Sequence, residues 1–143
     1  MRCVDVNVLV DAHRPESPRH DEVRTWLDGA RRGAEPLAVP GLVSSGFLRV
    51  VTHPRVFREP SPIATALAFL EALHAAPVVT ALHPGEHHWR VFADLCASLS
   101  LRGNDVADAY LAALVLEQGG TFVTSDRGFA RFPGLQLEAP VRA

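Results

Sequence analysis

The stretch GNDVADAYLAALVLEQGGTFVTSD, residues Gly103 to Asp126, decides the fold. Asn104 can cap a helix and leave Asp105 in its first turn. Apart from Asp108, the chain from Val106 to Leu116 is almost wholly apolar, so this helix is expected to be buried. Gln118-Gly119-Gly120 stops it. Thr121-Phe122-Val123-Thr124 then reads as a short β-branched and aromatic strand, with Asp126 just past its carboxyl end. Three of the eight aspartates of the chain, Asp105, Asp108 and Asp126, fall in this one stretch. Acids beside a buried helix and strand are costly unless they have a task.

The same alternation extends outward. Arg2 to Val6 reads as a first strand, apolar around one acid, Asp5, as a buried parallel strand would be. Asn7 to Ala12 then turns into a short helix with Asp11 as a surface acid. Ser17-Pro18 starts a helix whose apolar face is Val23, Trp26, Leu27 and Ala30. Leu37-Ala38-Val39 is a short strand. Leu42 to Val51 is a helix, and Ser61-Pro62 starts another with Ile63, Ala66, Leu67, Leu70 and Leu73 at helical spacing. Val78-Val79 is a brief strand. Pro84 opens a helix with Trp89, Phe92, Ala93, Cys96 and Leu99 on one face. Leu135-Gln136-Leu137 is a last edge strand, and the C-terminus is expected to fray. Short strands alternating with helices predict one α/β domain over residues 1–143 with a mainly parallel sheet. Ligand sites in such sheets lie outside the carboxyl ends of the strands, where Asp5 and Asp126 fall.

Composition narrows the chemistry. The 143 residues are 48% hydrophobic, and the net charge is −2, without the basic excess of many nucleic-acid binders. All fourteen basic residues are arginine, which excludes Schiff-base, phosphate-loop and catalytic lysines. Cys3 and Cys96 sit in apolar patterns and read as reduced thiols of a cytoplasmic protein. Neither a signal peptide nor a membrane anchor is expected.

Carboxylates gathered without lysine repel one another, and a hard divalent cation such as Mg2+ or Mn2+ is their natural partner. Asp5, Asp108 and Asp126 are the first-choice ligands, and Asp105 can bind directly or through water. Asn7 and Ser125 are suited to orienting ligands or water. The plainer readings are that Asp105 favours the helix dipole and that Asp126 opens a turn. Arg102 and Arg127 flank the acids and are the favoured phosphate contacts, ahead of Arg49, Arg55, Arg58 and Arg131. His83, His87 and His88 read as an exposed helix start rather than a zinc site. Trp26 and Trp89 read as core or dimer packing.

These residues resemble PIN-domain ribonucleases, specifically the VapC toxins of type II toxin–antitoxin pairs. The resemblance is carried by Val4-Asp5-Val6-Asn7-Val8-Leu9, by Asp108-Ala109-Tyr110-Leu111-Ala112-Ala113-Leu114 and by Val123-Thr124-Ser125-Asp126-Arg127-Gly128-Phe129. Phe47 to Phe57 and Arg131 to Leu135 look like one VapC subgroup. The resemblance implies a PIN-like α/β/α sandwich, Mg2+ or Mn2+ dependence, and endonucleolytic RNA cleavage that blocks translation. It also implies a homodimer and a VapB-like antitoxin. Asp5, Asp108 and Asp126 match three of the family's acids. Where the family usually carries a glutamate, on the helix after the second strand, this chain has Gly46, and Asp105 is the acid expected to compensate. The rival reading is a catalytically weak or inactive PIN-like module that binds RNA or an antitoxin.

Overall fold

A computed structural model describes residues 1–141. Its core is a five-stranded, wholly parallel sheet in the order β3-β2-β1-β4-β5. The strands are β1 (Arg2–Val4), β2 (Leu37–Ala38), β3 (Val79–Thr80), β4 (Thr121–Val123) and β5 (Gln136–Glu138). The helices are α1 (Val6–His13), α2 (His20–Arg32), α3 (Gly41–Val51), α4 (Ile63–His74), α5 (His88–Ser98) and α6 (Asn104–Gln118), and a 3-10 turn spans Arg127–Arg131. This is the α/β/α sandwich expected, with its mainly parallel sheet. The frayed C-terminus foreseen at residues 142 and 143 lies outside the described residues.

β1 is the pivot. Cys3 lies beside Ala38 of β2 on one side and Phe122 of β4 on the other. The chain builds outward to β3, then crosses back and adds β4 and β5 on the other edge. The carboxyl ends of β1 and β4 therefore flank a point where the winding reverses, which leaves a crevice there. Cys3, Val4, Phe122 and Val123 are fully buried, as strands covered on both faces must be.

α6 delivers its acids to the same place. Its middle, from Leu111 to Val115, is buried. Gly119 ends it with φ of 67°, in the left-handed conformation that glycine adopts without steric cost. The chain then reverses directly into β4, so the amino end of α6 lies at the carboxyl end of β4. Gly103, at φ of 61°, takes the cap position expected of Asn104, which becomes the first helical residue.

Two helices start later than their proline signals, and both delays have identifiable bonds. Ser17 does not cap α2, because its hydroxyl donates to Asp11 at 2.7 Å and residues 17–19 form a turn. Pro84 does not open α5, because the Glu117 carboxylate accepts from the backbone N–H of Gly85 (2.8 Å) and of His87 (2.9 Å) and holds that segment as a turn. The register of α5 shifts accordingly. His88, expected at an exposed helix start, is buried and bonds the Tyr110 carbonyl at 3.1 Å. Trp89, expected on an apolar packing face, is 73% exposed.

Candidate metal centre and nucleic-acid interface

Asp5 caps α1 at the end of β1. Its backbone N–H still donates to Val123 of β4 at 3.0 Å, so the carboxylate projects from the sheet's edge into the crevice. The side chain is 7% exposed and fully bonded. One oxygen accepts from the Val6 N–H at 2.7 Å. The other accepts from the Thr124 hydroxyl at 2.6 Å and the Asn7 amide at 3.0 Å. Thr124 spends its single proton on Asp5, and its oxygen accepts from the Asp126 N–H (3.0 Å) and the Asn7 amide (3.2 Å). The Asn7 carbonyl accepts from the Ser125 N–H at 3.2 Å. Asn7 thus bonds Asp5, Thr124 and the Ser125 backbone at once. Ser125 joins through its backbone, while its buried hydroxyl has no partner among the described residues. In the sequence Thr124 reads only as a strand residue. The signal lay in its place, a hydroxyl at the strand's last position two residues before an acid.

Asp108 faces the same crevice from α6. Arg131 donates to it at 3.0 Å and to Asp105 at 3.3 Å through one nitrogen. Asp105 is exposed and takes its contact there, outside the residues that line the cleft. Asp126 caps the 3-10 turn, accepting from the Gly128 N–H at 2.7 Å. Burial pushes the Asp5 carboxyl above the usual range, the Thr124 and Val6 bonds oppose this, and the charges of Asp108 and Asp126 push it further up. Burial also raises Asp108, with Arg131 opposing and Asp126 and Asp105 adding to the rise. The acids therefore share one field. Cys3, beneath Asp5, is pushed up to about 12, chiefly by burial, and is an inert thiol.

Asp5, Asn7, Asp11, Asp108 and Asp126 line one cleft of about 450 Å3. Asp11, read as a surface acid, belongs to this wall. Arg49 of α3 lines the cleft, whereas Arg102 is exposed outside it and Arg127 lines a neighbouring groove. Gly46 is in the cleft wall, and a Cβ there would meet Val6 Cγ2 at 2.9 Å. α3 packs too closely on α1 for a side chain to enter without moving Val6. Among the described residues, no three acidic, histidine or cysteine side chains close into a ready metal cage. The donor chemistry does fit a hard cation: carboxylate and amide oxygens, a buried raised acid, and, among the described residues, Arg131 as the one cation bonded to the cluster.

The PIN domain family profile matches residues 2–135. Ribonuclease VapC43 of Mycobacterium tuberculosis is 47% identical over 141 residues, covering 99% of this chain and 96% of that protein. Among solved structures, VapBC2 from Rickettsia felis aligns with a TM-score of 0.70 at 18% identity, over 96% of this chain and 97% of that one. VapC20 of Mycobacterium tuberculosis aligns with a TM-score of 0.66 at 15% identity, over 95% and 99%.

Proposed function

The chain belongs to the PIN-domain family, in its VapC group, and on that premise we propose that it is a divalent-metal-dependent endoribonuclease, the toxin of a type II toxin–antitoxin pair. The carrying observation is the convergence of Asp5, Asp108 and Asp126 on one cleft at the switch point of a parallel sheet. The ribonuclease name of VapC43, and the description of VapC20 as a sarcin–ricin loop cleaving toxin, support RNA as the substrate class. The substrate reading extends to a block of translation. The VapBC2 complex supports a VapB-like antitoxin as partner.

Asp5, Asp108 and Asp126 would hold Mg2+ or Mn2+. When bound, such a cation lowers the pKa of coordinated water and offsets charge developing on a phosphate. The protein's own residues do the rest. Thr124 and Asn7 fix the Asp5 carboxylate, and the Thr124 oxygen holds the Asp126 backbone in the same network. Arg131 steers Asp108, and Asp105 acts mainly by holding Arg131. Arg49 is placed to meet a phosphate in the cleft, with Arg127 beyond Asp126. We also assign the protein to the cytoplasm as one PIN unit and as a homodimer. No helix of the described residues is long and apolar enough to cross a membrane. Ile63 of α4 and Trp89 of α5, 55% and 73% exposed, are dimer-surface candidates.

The test is cleavage of RNA with Mg2+ or Mn2+ by the unsubstituted protein, Asp5→Asn and Asp126→Asn. The reading expects cleavage only by the first. Cleavage that survives both substitutions, or that the parent fails to show with both metals, sinks it. RNA binding without cleavage would favour the inactive module, to which Gly46 lends its one supporting observation.

A further inference from the structure

We propose that a second groove, joined to the acid cleft at Asp126, holds the phosphodiester backbone of RNA next to the cut site, with Arg19 and Arg127 as its phosphate donors. This deepens the endoribonuclease reading and rests on it. The groove measures about 500 Å3 and lies outside the carboxyl ends of β4 and β5. Asp126 lines both it and the acid cleft, so one strand can pass from one to the other over a single residue.

Arg19 and Arg127 stand on two different segments, the turn before α2 and the 3-10 turn after β4. Both are exposed, and among the described residues neither forms an ion pair. Besides Asp126, two further carboxylates line the groove. Glu138 is engaged by Arg2 at 3.4 Å and by the Trp26 indole at 3.2 Å, so its charge is already answered. Glu22 is exposed to solvent at the rim. Ser125 also lines the groove, with its hydroxyl buried behind the wall. Leu137, 39% exposed, gives an apolar surface for a ribose or base. Guanidinium groups that bind phosphate in bidentate fashion, beside an apolar surface, match a nucleotide backbone. Continuity with the cleft selects RNA over an acidic protein segment.

The test uses the full chain carrying Asp5→Asn, to prevent cleavage, and a short fluorescein-labelled oligouridine read by anisotropy over about 50 to 200 mM KCl. Adding Arg19→Ala or Arg127→Ala should weaken binding and flatten the plot of log K against log[KCl] by about 0.7 each, the value for one phosphate on a single strand. Arg127→Lys should keep the slope, which separates lost charge from lost folding. Arg32→Ala, at the far end of α2, should leave it unchanged. Slopes that stay at the parent value in both alanine variants overturn the groove, as does a slope that falls equally with Arg32→Ala. Loss of antitoxin capture with RNA binding intact also overturns it. Cleavage by the unsubstituted protein reports separately on the nuclease assignment.

Discussion

Thr124 is the residue on which the site turns. Its hydroxyl serves Asp5, Asn7 and the Asp126 backbone at once. Thr124→Val keeps the shape, removes one bond from Asp5 and one from Asn7, and leaves the Asp126 N–H without its acceptor. It should cost about 1–3 kcal/mol of stability in urea unfolding. It should also raise the Asp5 pKa further, since the Thr124 bond is one of the two that oppose the rise caused by burial, and so move the acid limb of the cleavage pH profile upward. An unchanged limb would remove Thr124 from the account. The raised Asp5 and Asp108 carboxyls give a second expectation. A carboxyl whose folded pKa lies above its unfolded value stabilises the fold below the unfolded value, and that contribution is lost as pH rises through the folded value. Without a divalent ion the protein should therefore lose stability from these two acids as pH rises out of the carboxylate range. A bound cation should reverse the loss, so Mn2+ should raise Tm more at pH 8 than at pH 5. Asp105 is open to a double-mutant cycle in Mn2+ titration. If it acts through Arg131, Asp105→Asn changes affinity in the parent and has little effect beside Arg131→Ala. A ligand role would weaken binding in both backgrounds.

At the level of elements, the sequence carried most of the layout. The β1, α6 and β4 stretches were legible because their apolar runs and glycine stops are local signals. The late starts of α2 and α5 were not, because Asp11 and Glu117 compete for the groups that would begin those helices. That shift carried His88 inward and left Trp89 outside. The acids of the site were visible as acids in apolar surroundings. That Arg49 lines the cleft and Arg102 stands outside it was not legible, because only the packing of α3 decides which guanidinium faces the cleft. The α1–α3 contact gives its own prediction. Gly46→Glu must displace Val6, and overpacking of this kind costs about 1–3 kcal/mol. The variant should melt lower than the parent. Val6→Ala in the same chain should recover part of the loss, and a Gly46→Glu protein as stable as the parent would contradict the tight packing.

For the whole molecule, the parallel order β3-β2-β1-β4-β5 turns three separate segments into one site. Asp5 ends β1, Asp126 follows β4, and Asp108 arrives on the helix that runs back beside β4. None of the three is near another in space until the winding reverses at β1. The three carboxylates raise one another's charge cost, and the divalent metal proposed above would offset it. The most direct test is a calorimetric Mn2+ titration of the purified protein beside Asp5→Asn and Asp108→Asn. The account predicts saturable binding by the unsubstituted protein, weakened at least about tenfold, or ~1.4 kcal/mol, by either substitution. Equal affinity in all three proteins, or no binding by the unsubstituted one, would contradict it.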